Sequence, residues 1–156
     1  MLGIIAIILS ALSAILDIAG LAVPYWYSGT VLSLKAHFGL WKSCASSICA
    51  SIPDAPGALN GTRACEILGM LLLFAALAAA VLKQFVMKDK PILTKLGGGC
   101  AIFGGVLMII GTIIFATDSS LKLLGTGMHL HAGFGLCIVA GILALPAGIV
   151  MFLNKD

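Results

Sequence analysis

Four long apolar runs constrain this chain more than anything else in it. They cover residues 1–23, 65–86, 96–117 and 130–153, and each approaches the ~20 residues that a helix needs to cross ~30 Å of hydrocarbon. In that medium only helices and closed barrels satisfy their own backbone groups, so four membrane-spanning helices is the economical reading. Composition agrees: 61% of the 156 residues are hydrophobic and 10% are charged, against roughly 25% charged in a soluble domain. A formal charge of +3 leaves no nucleic-acid footprint. The first run lacks a positive leader segment and exceeds the apolar core of a secretory signal, so it is expected to be retained as a span.

The connections differ in character. The first, about residues 24–64, is long and holds both tryptophans, Cys44 and Cys49, and the basic residues Lys35, Lys42 and Arg63. The second is short and crowded by Lys83, Lys88, Lys90 and Lys95, and the third, about 118–129, reads DSSLKLLGTGMH. Basic residues concentrate on cytoplasmic connections, which puts the middle connection and both termini inside the cell. The first and third connections then face an oxidising exterior. The whole chain, residues 1–156, reads as one four-span membrane domain.

The spans carry a second pattern. Gly3, Ala6, Ser10, Ser13, Asp17 and Gly20 recur at intervals of three and four in the first run. Gly97, Cys100, Gly104 and Gly111 lie on a similar stripe in the third, and Gly133, Cys137, Ala140, Ala144 and Ala147 in the fourth. Small residues let helix backbones approach in lipid, where the hydrophobic effect does not drive helices together. A repeat near 3.5 residues favours left-handed crossing. Asp17 stands out on its stripe, because an intramembrane acid is a functional-site hypothesis by default. The plainer reading is a neutral, hydrogen-bonded acid that fastens helices, with Thr112 as its partner at similar depth.

Enzyme readings lack their parts, and no catalytic, cofactor or metal site is expected. A rotary-ATPase proteolipid needs a carboxylate in its last span, and residues 130–153 contain none. A small membrane transferase of the glutathione type needs polar and basic residues along its helices, where Lys83 reads only as a flank. A thiol oxidase needs a CxxC pair, and Cys44 and Cys49 are separated by four residues. His37, His129 and His131 make no ligand set, and the last two are read as interfacial residues above the fourth span.

The first connection then acquires meaning from its order: Trp26, Gly39-Leu40-Trp41, Cys44, Cys49 and Arg63. This W…GLW…C…C pattern, in a long loop after the first of four spans, resembles the claudin superfamily. That superfamily includes peripheral myelin protein, the epithelial membrane proteins and the channel-associated gamma subunits. The resemblance implies an all-α membrane protein: a left-handed four-helix transmembrane bundle carrying a small antiparallel β-sheet built from the first loop. It implies a Cys44–Cys49 disulfide within that sheet and a first strand over about 25–34 that Trp26 begins. It also implies that Leu40 and Trp41 pack at the sheet's base, and that Arg63 stands where the loop rejoins the second span. The cysteine gap is shorter than the family's usual one, and the chain ends at Asn154-Lys155-Asp156, so tail-mediated scaffold recruitment is not expected.

Cys65, Cys100 and Cys137 are read as inert thiols in the spans, with Cys100 also weighed as a lipidation site near the cytoplasmic end. Asn60-Gly61-Thr62 is a glycosylation sequon on the outer side, close to the second span. The function that the resemblance implies is a structural protein of cell–cell contacts at the plasma membrane. It would touch itself or related four-span proteins laterally and across facing membranes, and form a paracellular barrier without strong charge selectivity. The alternative is an accessory subunit of an ion channel or receptor, or an organiser of membrane in the manner of the myelin and epithelial membrane proteins.

Overall fold

A computed structural model describes residues 1–124 and 126–154. Gly125 of the third connection and Lys155 and Asp156 of the tail, which entered the sequence reading, lie outside the described residues. Four helices are long and apolar enough to cross a membrane: α1 (Leu2–Ala22), α2 (Gly57–Val81, prolonged by a π-helical turn at Leu82–Val86), α3 (Ile92–Thr117) and α5 (Ala132–Leu153). A short helix, α4 (Ser119–Leu124), follows α3, and the Asp118 carboxylate accepts from the Leu121 N–H at 3.1 Å in its first turn, as an N-cap does.

The boundaries shift at one place that matters. Helix α2 begins at Gly57, eight residues before the expected start of the span. The Pro53 and Pro56 punctuation hid this, although proline just before a helix suits its N-terminus. At the other end of α2 the Lys83 side chain is buried and its ammonium donates to the Lys88 carbonyl. It is therefore an internal tie for the π turn as well as a flank.

The stripe of α1 is its buried face: Gly3, Ala6, Ser10, Ser13, Asp17 and Gly20 are all buried, while Ile4, Ile8, Leu12, Ile15 and Ile18 point outward. In α5 all five stripe residues are buried, and in α3 Gly97, Gly104 and Gly111 are buried with Cys100 half-covered. Backbones touch where glycines face each other. A Cβ on Gly105 would lie 2.7 Å from the Gly141 carbonyl oxygen, and one on Gly104 would lie 2.9 Å from that of Gly69. Hydroxyls add ties between helices: Ser13 donates to the Ala140 carbonyl at 2.6 Å, and Thr62 to that of Gly111 at 3.1 Å.

The sheet has five antiparallel strands in the order β4-β3-β2-β1-β5. Strands β1 (Tyr27–Val31), β2 (Leu34–Phe38), β3 (Lys42–Ala45) and β4 (Ile48–Ser51) come from the first connection. The expected strand over 25–34 is therefore β1 and its turn into β2. Strand β5 (Met128–Leu130) comes from the third connection and pairs with β1, so the sheet is not a product of the first loop alone. The fourth span correspondingly starts at Ala132 rather than residue 130. At the opposite end of the bundle, a Cβ on Gly3 would meet Gln84 and Asn154, so the start of α1, the π turn and the end of α5 lie together.

Candidate functional site

The signature residues form the joint between sheet and bundle, each with a distinct task. Trp26 leaves α1 and turns its ring down into the helices. It is fully buried, its indole N–H donates to the Gly20 carbonyl at 2.9 Å, and it meets Phe115 edge to face at 4.7 Å. It lies so close to Gly133 that a Cβ there would come within 2.4 Å of the indole. Gly39 lets β2 cross the α1 exit, since a Cβ on it would lie 2.6 Å from the Cα of Pro24. Leu40 is fully buried in the cluster around Trp26, Leu59 and Phe115.

Arg63 closes the joint from α2. Its guanidinium donates to the Leu40 carbonyl from Nε at 2.8 Å and again from Nη2, and to the Ile52 carbonyl at 3.2 Å. Its planar fork suits several carbonyls at once in a way a lysine cannot match. It also lies 4.8 Å over the Trp41 ring, within cation–π range. Trp41 stands at the same base, where it is 42% exposed and lines a recess of about 260 Å³ with Ala22, Val23, Pro24 and Lys42. An amphipathic ring in that place suits a membrane–water boundary.

Cys44 and Cys49 are disulfide-bonded and face each other across β3 and β4. Asn60 sits in the first turns of α2, exposed. Its amide nitrogen donates to the Ala55 carbonyl at 3.2 Å and its oxygen accepts from Arg63 at 3.1 Å. His37 stacks on Tyr25 at 4.2 Å, and His131 is tilted against the same ring at 5.7 Å. His37 also lies near Cys44 and Cys49, but sulfurs held in a disulfide offer no thiolate to a metal. His129 is on β5, opposite Ser28.

One grouping was not expected from the sequence. Asp17 of α1, Glu66 of α2 and Cys137 of α5 are all fully buried, and their ligand-type atoms lie within 4.8 Å of one another. The partner anticipated for Asp17 is wrong: the Thr112 hydroxyl turns to the Ile109 carbonyl of its own helix at 2.8 Å. Glu66 escaped notice because it follows Arg63 in a polar-looking run at what reads as the edge of a span. The early start of α2 carries it nine residues into the helix.

A family model described as PMP-22/EMP/MP20/Claudin matches residues 1–152. The chain belongs to that family. No curated protein matches it. As a member of the PMP-22/EMP/MP20/Claudin family it is a four-span membrane protein of a family that is not enzymatic. The joint that its Trp26, Gly39-Leu40-Trp41 and Arg63 build is a fixture of the fold, with no group placed for bond chemistry. Exposed apolar side chains lie elsewhere, at the turns of the sheet, where Leu32 and Ile48 stand.

Proposed function

We propose that this protein makes contacts between cells, with the sheet on the outer side of the plasma membrane and both termini in the cytoplasm. The observation that carries the reading is Leu32. It occupies the two-residue turn between β1 and β2, where Leu32 and Ser33 have φ of 51° and 68°. A non-glycine residue in this region costs about 1–2 kcal/mol, and turns of this kind favour Asn, Asp or Gly. Leu32 is also 93% exposed. A strained backbone carrying an exposed leucine is unfavourable on both counts in an isolated molecule, and strain of this sort clusters at functional surfaces. The register puts the neighbouring β3–β4 turn at the same end of the sheet, away from the joint, and there Ile48 is 76% exposed. A second sheet, presented by the facing membrane or by a neighbour in the same one, would cover both residues.

Leu32→Asn separates contact from folding. Asparagine tolerates the turn and removes the apolar tip. The variant should be at least as thermally stable as the parent in detergent, reach the surface normally, and lose enrichment at contacts between expressing cells. Freeze-fracture images of those cells should show strands for the parent and none for the variant. Undiminished contact enrichment would refute the reading. Co-purification of a fixed channel partner by both forms would favour the accessory-subunit alternative.

A further inference from the structure

Asp17, Glu66 and Cys137 are buried polar groups of three helices that converge on one another, unlike Ser10, which is buried on its own without a hydrogen-bond partner. Ser13 and Thr62 each find a carbonyl on a neighbouring helix. By contrast, no donor outside the cluster reaches the four carboxylate oxygens of Asp17 and Glu66 among the described residues; their only available partners are each other's carboxyl and the Cys137 thiol. The Cys137 sulfur also lies 4.0 Å from the Asp17 backbone carbonyl oxygen. Buried polar groups are nearly always satisfied, and acceptors without donors are most costly where no water can substitute. What satisfies several converging acceptors at once is a cation.

The surroundings make room for these side chains and close over them. A Cβ on Gly20 would lie 2.5 Å from the Cys137 sulfur, and one on Gly111 would lie 2.8 Å from a Glu66 carboxylate oxygen. Both glycines thus leave space that the cluster fills. On the sheet side Trp26, tied to Gly20 and packed on Phe115, covers the approach.

We propose that Asp17, Glu66 and Cys137 bind one divalent transition-metal ion of the zinc class, pinning α1, α2 and α5 together. The donor set selects the class. Calcium and magnesium take oxygen ligands, six or more of them, whereas a sulfur donor with carboxylates suits zinc and its neighbours. The three side chains would supply three of zinc's four tetrahedral donors and leave the fourth position to a water, and bonds of ~2.3 Å to sulfur and ~2.0–2.2 Å to oxygen put such donors about 3.5 Å apart. Donors already within 4.8 Å on three helices reach that spacing by side-chain rotation. Charge also closes. The dication is balanced by the thiolate and one carboxylate, while the second carboxyl keeps its proton. Relative to the fully protonated cluster, two protons pass to water as the ion enters. This site is independent of the contact reading above.

The test uses the full chain in nanodiscs after expression with zinc. Elemental analysis should find about one zinc per chain, and exchange into Co²⁺ should give a thiolate-to-cobalt charge-transfer band. Cys137→Ser should abolish that band while Cys65→Ser and Cys100→Ser keep it. Glu66→Gln should weaken metal binding by more than the ~10–100-fold that loss of a supporting group causes. If the Cys137 and Glu66 variants do not fold, X-ray absorption at the zinc edge of the parent decides, with a shell of one sulfur and otherwise light atoms expected. A parent that takes up neither zinc nor cobalt, a band that follows Cys65 or Cys100, or a shell with no sulfur would each overturn the proposal.

Discussion

A methyl group on Gly39 would sit 2.6 Å from the Cα of Pro24 and 3.2 Å from the Val23 carbonyl oxygen. Neither neighbour is the end of a flexible side chain, so β2 itself would have to move. Gly39→Ala is therefore expected to lower stability by about 1–3 kcal/mol, the range for overpacking. Gly61→Ala is the control: a Cβ added to Gly61 on α2 would meet nothing within 4 Å, and alanine is the better helix former by roughly 1 kcal/mol. Thermal unfolding in detergent checks both, and equal losses would deny the joint its special role. The residues of this joint were legible because the motif names them. Their division of labour was not, since only the crossing of β2 over the end of α1 separates a glycine that must be glycine from a tryptophan that stays half-exposed.

At the scale of elements, the stripe on α1 was readable because helical periodicity and the need for small residues act together. All six of its members are buried. Which neighbour each would touch was not readable, because that depends on the rotation of three other helices. Thr112 faces its own backbone, and Glu66 and Cys137 stand beside Asp17 instead. Strand β5 and helix α4 were also hidden: three residues pairing with β1 carry too little pattern to be seen alone. Asp17 gives the direct test of the stripe. Asp17→Asn keeps the volume and should fold and reach the cell surface, even where metal is lost. Asp17→Leu replaces the carboxyl with a bulkier apolar isopropyl group between α1, α2 and α5 and should fail surface delivery. Surface biotinylation measures both. Equal failure would show that the carboxyl, and not the space, holds the helices.

For the whole molecule, orientation decides what the sheet can meet. The π turn that leads into the lysine-rich middle connection lies with the start of α1 and the end of α5, across the bundle from the sheet. The proposed topology predicts that impermeant labels on intact cells reach Lys35 and Lys42, both exposed on the sheet, and not Lys88; labelling of Lys88 would invert the assignment. The same geometry bears on ions. Strand β4 is an exposed sheet edge, and its residues Ala50 and Ser51 are neutral, as are Ile52 and Pro53 after them. Lys35, Lys42 and Asp54 are exposed, but charges across a wet gap are screened beyond ~8 Å at physiological salt. Arg63 is held by the Leu40 and Ile52 carbonyls. A layer of this protein should therefore seal without strong charge selection, and any residual preference should favour anions. The decisive readout is electrical resistance together with dilution potentials across an epithelial layer that expresses the chain where related proteins are scarce. Raised resistance with a near-neutral or weakly anion-favouring dilution potential is the expected result; unchanged resistance, or a clear preference for cations, would contradict the sealing role.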